Sequence, residues 1–374
     1  MTTETLSTAS TSADGQPPPI GLTLDTYRLL GRSGLRVSPL ALGTMTFGSD
    51  WGWGADDAEA RRMFDLYLDR GGNFIDTANN YTNGTSEQLV GEFVRDRRER
   101  LVIATKYTCW TRQGDPNSGG NHRKSMISSV EQSLRRLGTD YIDLLYLHLW
   151  DGTTPVEEIL RGLDDLARAG KVLYIGISDT PAWQASRMQA IAELRGWAPL
   201  IALQIEYSLI ERTGERDLIP MAREMGLGVL PWAPLAKGVL TGKYNRADLD
   251  RTDRTESRKS LAVAAGSLTE RGLAIAELVR EIAAETGRTP AQVAVAWTLL
   301  NPTVTAPIIG ARTASQLEEN LGALEVTFTD DQRVTLETAS GIDLGFPHEL
   351  LNRPRTYRHV FDGTRLEHHT QPAR

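Results

Sequence analysis

From residue 40 onward the chain repeats one alternation, a short apolar run followed by a longer stretch of helical character. The runs are LALGTMTF (40–47), NFIDTA (73–78), LVIATK (101–106), IDLLYLH (142–148), VLYIGIS (172–178), IALQIEY (201–207), LGVLPWA (227–233) and TAPIIGA (305–311). Each is a short apolar run of strand length. Between them, 57–70 (with Met63, Phe64, Leu66, Tyr67 and Leu68), 126–137 and 156–169 read as amphipathic helices. Pro155 and Pro181 stand where helices start, and Gly138 and Gly170 where they stop. Strand–helix repeats imply parallel pairing through right-handed crossovers. Eight such strands have no exposed edge if they close into a (β/α)8 TIM barrel, an α/β fold. A doubly wound open sheet is the alternative.

The flanking segments complete the plan. YRLLGRSGLRVSP (27–39) alternates apolar and polar residues around Gly31 and Gly34, which predicts a β-hairpin placed to plug the N-terminal mouth of the barrel. The charged stretch 237–260 reads as a mobile loop over one face, followed by helices near 269–285 and 290–300 and one more at 330–338. Residues 1–24, rich in Thr, Ser and Pro, read as a disordered tail, 25–340 as the barrel, and 341–374 as a C-terminal tail without clear periodicity that could fold over the barrel rim.

Charge and composition remove several functions. A net charge of −7 argues against nucleic acid as a partner, because phosphate contacts need a basic face. The N-terminus lacks the basic and apolar regions of a secretory signal, and no apolar run has the length of a membrane span. Cys109 is the only cysteine, so no disulfide forms within the chain. These features together are expected of a cytoplasmic protein without a membrane partner. His368 and His369 have no partners at ligand spacing, so no metal site is expected. GWG (52–54) lacks the third glycine of a dinucleotide fingerprint, and GVLTGK (238–243) is one residue too short for a P-loop.

In a barrel of this kind, chemistry sits where strands end and loops begin. The second run ends at Asp76 with Tyr81 in the loop beyond it, the third ends at Lys106, and the fourth at His148. Singly, these residues read as a turn former, loop packing, a solvated strand end and a core histidine. At successive strand ends they would face one bowl.

At these positions the sequence resembles the aldo-keto reductases, barrel oxidoreductases that use NADPH to reduce aldehydes and ketones. The resemblance runs from about Tyr27 to Ala339. It is carried by NFIDTANNYTNGTSEQLVGEF, LVIATK, YIDLLYLHLWD, KVLYIGISD, QIEYSLIER, PWAPLAKGVLTGKY and PIIGARTASQLEENL, in order. It looks most like the aryl-alcohol dehydrogenase-like and potassium-channel β-subunit-like members. The resemblance implies Tyr81 as general acid, Lys106 lowering the phenol pKa from its ordinary value of about 10, Asp76 holding Lys106, and His148 directing the substrate oxygen.

The resemblance also implies an NADPH site without a Rossmann unit. Ser178 and Gln204 would bind the nicotinamide carboxamide, and Trp232 would stack on the ring. Gly43, Thr44 and Met45, with Asp76, would line the ribose, and Pro234, Leu235, Gly238 and Lys243 the pyrophosphate. Gly310, Arg312, Gln316, Glu319 and Asn320 would hold the adenosine and its 2′-phosphate. One departure is Asp179, where many members carry Asn; an ionised Asp accepts hydrogen bonds but cannot donate. Trp51, Trp53, Trp110 and Trp150 follow the first, third and fourth runs and are expected to rim a pocket for a bulky aromatic or apolar carbonyl. Two alternatives stay open on the sequence: an NADPH-loaded, channel β-like binding subunit, and an aldolase-type enzyme forming a Schiff base on Lys106. Monomer and homo-oligomer are equally open.

Overall fold

A computed structural model describes residues 21–249, 258–362 and 364. The expected tail lies outside the described residues as far as residue 20, as do 250–257 of the charged loop and His368 and His369. Leu24 is already buried. The chain divides into one compact unit through Ser340 and a second from Gly341 onward.

In the first unit, β1 (Arg28–Leu29) and β2 (Arg36–Val37) pair as an antiparallel hairpin. The eight barrel strands are β3 (Ala41–Gly43), β4 (Phe74–Asp76), β5 (Val102–Tyr107), β6 (Ile142–Leu147), β7 (Val172–Ser178), β8 (Leu200–Glu206), β9 (Gly228–Trp232) and β10 (Ile308–Ile309). All neighbours are parallel, in the order β10-β3-β4-β5-β6-β7-β8-β9. The ends of this sheet meet where Val229 bridges to Val304: Val229 N–H donates to Thr303 O at 3.1 Å, and Thr305 N–H to Val229 O at 2.8 Å. That bridge rules out the open sheet. The last strand is shorter than its apolar run suggests, and part of the closure falls to residues before it. Pro307 has no N–H to give to a ladder, although its carbonyl accepts from Ala41 N–H at 2.9 Å.

The helices of this unit are α1 (Asp57–Asp69), α2 (Thr85–Val94), α3 (Arg123–Leu137), α4 (Val156–Arg168), α5 (Ala182–Arg195), α6 (Leu218–Met225), α7 (Arg258–Ala264), α8 (Glu270–Thr286), α9 (Pro290–Thr298), α10 (Ala314–Leu321) and α11 (Asp330–Ser340). Local chemistry sets their ends. Asp56 caps α1 by accepting from Glu59 N–H, and Thr289 and Gln292 form a capping box around Pro290 at α9. α3 starts earlier than its apolar pattern because His122 accepts from Ser125 N–H. In the second unit, α12 (His348–Leu351) and α13 (Pro354–Phe361) are short helices where no periodicity was expected.

Two apolar cores follow from strand alternation. One parity of each strand, including Ile75, Ile103, Leu145, Ile177, Leu203 and Val229, packs with helix residues such as Phe64, Phe93, Val130, Leu163 and Met188. The other parity fills the barrel with Ala41, Phe74, Val102, Ala104, Leu144, Tyr146, Ala202, Leu230 and Ile308. Leu30 and Val37 of the hairpin join this inner cluster, which makes the hairpin its plug. Gly31 permits that docking: its φ is +53°, and a Cβ there would stand 2.2 Å from the Ile201 carbonyl oxygen. Gly176 likewise leaves room for the Tyr146 ring, which a Cβ would meet at 2.4 Å. Burying each large apolar side chain contributes about 1.5–3 kcal/mol relative to exposure.

Candidate active site

The inward parity continues past the apolar filling into polar residues at the C-terminal strand ends. Ala41 leads to Gly43, Phe74 to Asp76, Ala104 to Lys106, Tyr146 to His148, Ala202 to Gln204, Leu230 to Trp232 and Ile308 to Gly310. Tyr174, packed against the same inner cluster, leads through Gly176 to Ser178. Residues two apart on a strand share a face, so the same geometry that packs the barrel floor directs these groups to its mouth.

Lys106 is fully buried, and its ammonium meets three oxygens: Asp76 Oδ1 at 2.5 Å, the Thr77 carbonyl at 2.7 Å and the Tyr81 hydroxyl at 3.3 Å. Its three donors are thereby used. Burial works against the charge, but Asp76 and Tyr81 outweigh it and the Lys106 pKa rises above its ordinary value. Gln204 Nε2 donates to the other Asp76 oxygen at 2.9 Å. The Asp76 carbonyl accepts from the N–H and Oγ1 of Thr44, and Ser86 ties the backbone of Thr44 to the hydroxyl of Thr77.

Tyr81 reaches this group from a turn that L-residues rarely make. Thr82 has φ +44° and Asn83 φ +56°. The Thr82 hydroxyl pins the turn by donating to Phe47 O at 2.7 Å and accepting from Ser86 N–H at 3.0 Å. A β-branched residue with positive φ is costly, and such strain persists only where the surroundings impose it. The Tyr81 pKa is raised, not lowered. Burial pushes it up, Lys106 opposes, and Asp76 adds to the rise. The expected depression fails chiefly because the phenol is desolvated, and secondarily because it faces an ion pair rather than a lone ammonium. Tyr81 therefore carries its proton at neutral pH.

His148 stands edge-on to Tyr81, with ring centroids 6.0 Å apart. Burial, aided by Lys106, lowers its pKa to about 3, so the imidazole is neutral. Cys109 Sγ lies 3.6 Å from His148 Nδ1. Trp51 makes an edge contact with Tyr81 at 6.5 Å, and Trp53 packs on Trp51 at 5.7 Å. Trp150 is partly buried against the outer core, while Trp110 is 61% exposed on the loop after Cys109. Trp51 and Trp53 therefore stand beside Tyr81, and Trp110 extends into solvent.

The residues expected at the cofactor are spread around the mouth. Ser178 Oγ is buried and has no hydrogen-bond partner among the described residues. Trp232 Nε1 donates to Asp179 Oδ1 at 3.1 Å. Pro234 and Leu235 lead into a turn at Ala236–Thr241, where Gly238 lies so close to Lys243 that a Cβ would stand 2.7 Å from the ammonium nitrogen. Thr46 donates to the Ala311 carbonyl at 2.5 Å, which joins the loop after Gly43, Thr44 and the exposed Met45 to the end of β10. Gln316 in the first turn of α10 accepts from Arg312 N–H, and Asn320 near the end of that helix donates to Gly310 O. The Arg312 side chain is exposed, with no hydrogen-bond or ion-pair partner among the described residues. Glu319 is exposed, and its carbonyl accepts from Gln292.

Sequence reasoning overlooked Cys109 beside His148, Lys237 over the Trp232 ring at 5.1 Å, and Glu206, the ion-pair partner of Lys237. No periodicity marks these contacts, which join different strand ends. Among the described residues there is no group of three or more His, Cys, Asp or Glu that could hold a metal ion, and no helix long and apolar enough to cross a membrane.

Residues 39–340 match the family model described as the aldo/keto reductase family. The chain belongs to that family. This aldo/keto reductase is 38% identical over 347 residues to the norsolorinic acid reductase of Aspergillus flavus, covering 90% of this chain and 86% of that protein. It is 36% identical over 346 residues to an NADP(+) aryl-alcohol dehydrogenase of Phanerodontia chrysosporium, covering 87% and 89%. A Bacillus subtilis protein described as an uncharacterized oxidoreductase is 40% identical over 313 residues, covering 80% and 91%. The protein is thus an oxidoreductase on a (β/α)8 barrel.

Proposed function

We propose that the protein interconverts aldehydes or ketones and their alcohols with NADP(H), acts on bulky aromatic or apolar carbonyls, and uses Tyr81 as general acid. The observation that carries this reading is the buried Asp76–Lys106 ion pair with the hydroxyl of the partly exposed Tyr81 on its open side at the barrel mouth. The residues present fit NADPH. Ser178 Oγ is a buried polar atom in need of a partner, Trp232 offers an aromatic face, and Arg312 is an uncommitted guanidinium beside the capped start of α10. Lys243 would join Arg312 on the phosphates. NADPH, when bound, supplies the hydride.

The chain's own residues handle the proton and the oxygen. Tyr81 holds a proton at its hydroxyl and gives it to the substrate oxygen as negative charge develops there. The phenolate left behind accepts from the Lys106 ammonium, so the charge that burial opposes in the resting site is stabilised once it forms. Asp76 keeps Lys106 charged and aimed. His148 is neutral, so it serves as a hydrogen-bond donor to the same oxygen rather than as the acid. The raised Lys106 pKa and its three contacts leave no free amine, which disfavours a Schiff base. The aromatic surface of Trp51 and Trp53 beside Tyr81, and the aryl-alcohol dehydrogenase name of one relative, favour an aromatic substrate.

A panel of aromatic and aliphatic aldehydes, followed by NADPH absorbance, tests the reading. Aromatic aldehydes should turn over with the higher kcat/KM, and Tyr81→Phe should abolish most of that turnover. If no aldehyde in the panel raised NADPH consumption above a substrate-free control, the carbonyl reading would be overturned.

A further inference from the structure

Asp179 follows β7 directly after Ser178 and connects three neighbouring strand ends. Its N–H donates to Gln204 O on β8 at 3.3 Å, its carbonyl accepts from Trp150 N–H beyond β6 at 3.4 Å, and its carboxylate accepts from Trp232 Nε1 on β9 at 3.1 Å. The backbone bends to do so, with φ +39°, a conformation that Asp tolerates better than most residues. The Trp232 ring is also covered by the Lys237 ammonium, itself at φ +56° and paired with Glu206.

We propose that Asp179 is a positioning residue that fixes the Trp232 indole through its N–H and the Trp150 backbone through its carbonyl, setting the ring wall and the substrate rim together. The consequence for cofactor affinity rests on the reading of Trp232 as a wall of the NADPH site; the hydrogen bond itself does not. The groups facing the carboxylate are the Trp232 N–H from β9, Glu206 from β8 and Lys106 from β5, with Lys237 on the indole. Asp179 is exposed to solvent at the barrel mouth, yet partial desolvation by the surrounding protein raises its pKa to about 6; Trp232 and Lys106 oppose the rise and Glu206 adds to it. Above that pH the indole donates to a carboxylate, and below it to a neutral carboxyl, which is the weaker acceptor.

The test uses full-length protein and two readouts. The first is tryptophan emission without cofactor, scanned from about pH 5 to 8. The wild type should show a step with its midpoint near 6, absent from Trp232→Phe, Asp179→Asn and Asp179→Gly. Glycine accepts the positive φ, so that variant removes the carboxylate without straining the turn. The second readout is NADPH binding by fluorescence quenching above the transition. Asp179→Gly should weaken NADPH by ~5-fold or more, while Asp179→Asn, whose amide oxygen still accepts the indole N–H, should stay within ~2-fold of wild type. Thermal unfolding confirms that each variant is folded. A step retained in Asp179→Asn, no step in the wild type, or unchanged affinity in Asp179→Gly overturns the proposal. If the wild type does not bind NADPH, the cofactor reading fails, and the emission step alone decides whether Asp179 holds Trp232.

Discussion

Replacing Tyr81 by Phe removes one oxygen and leaves the ring. The ring contacts with Trp51 at 6.5 Å and His148 at 6.0 Å survive. Lys106 loses its weakest contact, at 3.3 Å, and keeps Asp76 at 2.5 Å and Thr77 O at 2.7 Å. The folded state therefore loses about 0.5–1.5 kcal/mol, the net value of one hydrogen bond, and the melting temperature moves by no more than a few degrees, on the order of 2–4 °C. Chemistry loses far more. Without the phenol, the neighbouring groups cannot replace the acid: His148 is neutral, with a pKa lowered to about 3, and the proton of Lys106 is held by the Asp76 ion pair. Turnover should fall at least ~100-fold, equivalent to about 2.7 kcal/mol of barrier. Steady-state reduction of an aromatic aldehyde, paired with NADPH quench titration and thermal unfolding, separates the two effects. Activity within a few-fold of wild type would refute the assignment of Tyr81. A large loss accompanied by collapse of NADPH binding would show that the phenol shapes the site rather than donates a proton.

The buried ion pair should reveal itself in stability. Lys106→Met leaves the Asp76 carboxylate buried with Gln204 as its remaining side-chain partner and should cost about 3–5 kcal/mol in urea unfolding, much of it recovered by adding Asp76→Asn; a loss under about 1 kcal/mol would contradict the burial described here. Acid should destabilise the protein through His148. The unfolded imidazole takes a proton near pH 6.5 but the folded one only near 3, so stability is lost as pH falls across that window, and His148→Gln should flatten this part of the profile. NADPH should bind at least ~10-fold more tightly than NADH, a difference of ~1.4 kcal/mol. Arg312→Ala should weaken NADPH and leave NADH unchanged; equal affinities in the wild type would remove the phosphate role of Arg312.

The strand–helix alternation of the sequence determined a parallel sheet of eight strands joined by helices, but its closure into a barrel rather than an open sheet was decided by the bridge between Val229 and Val304. Alternation within each run also placed Asp76, Lys106 and His148 on the inward parity, since residues two apart on a strand share a face. The boundaries of β10 were less legible: its apolar run is longer than its ladder, and closure depended on Val229 meeting Val304 across the barrel. The protonation of the site was not legible at all. A lysine near a tyrosine predicts a lowered phenol pKa, but the outcome turned on burial and on Asp76 cancelling much of the lysine's field, and both are properties of three-dimensional packing. The same holds for Asp179, which reads as an isolated substitution in the chain. Its bond to Trp232 joins residues 53 positions apart, brought together only when β7, β8 and β9 lie side by side. Local pattern specifies which face of a strand a residue takes; which charges and donors it meets there is set by neighbours that sequence spacing does not encode.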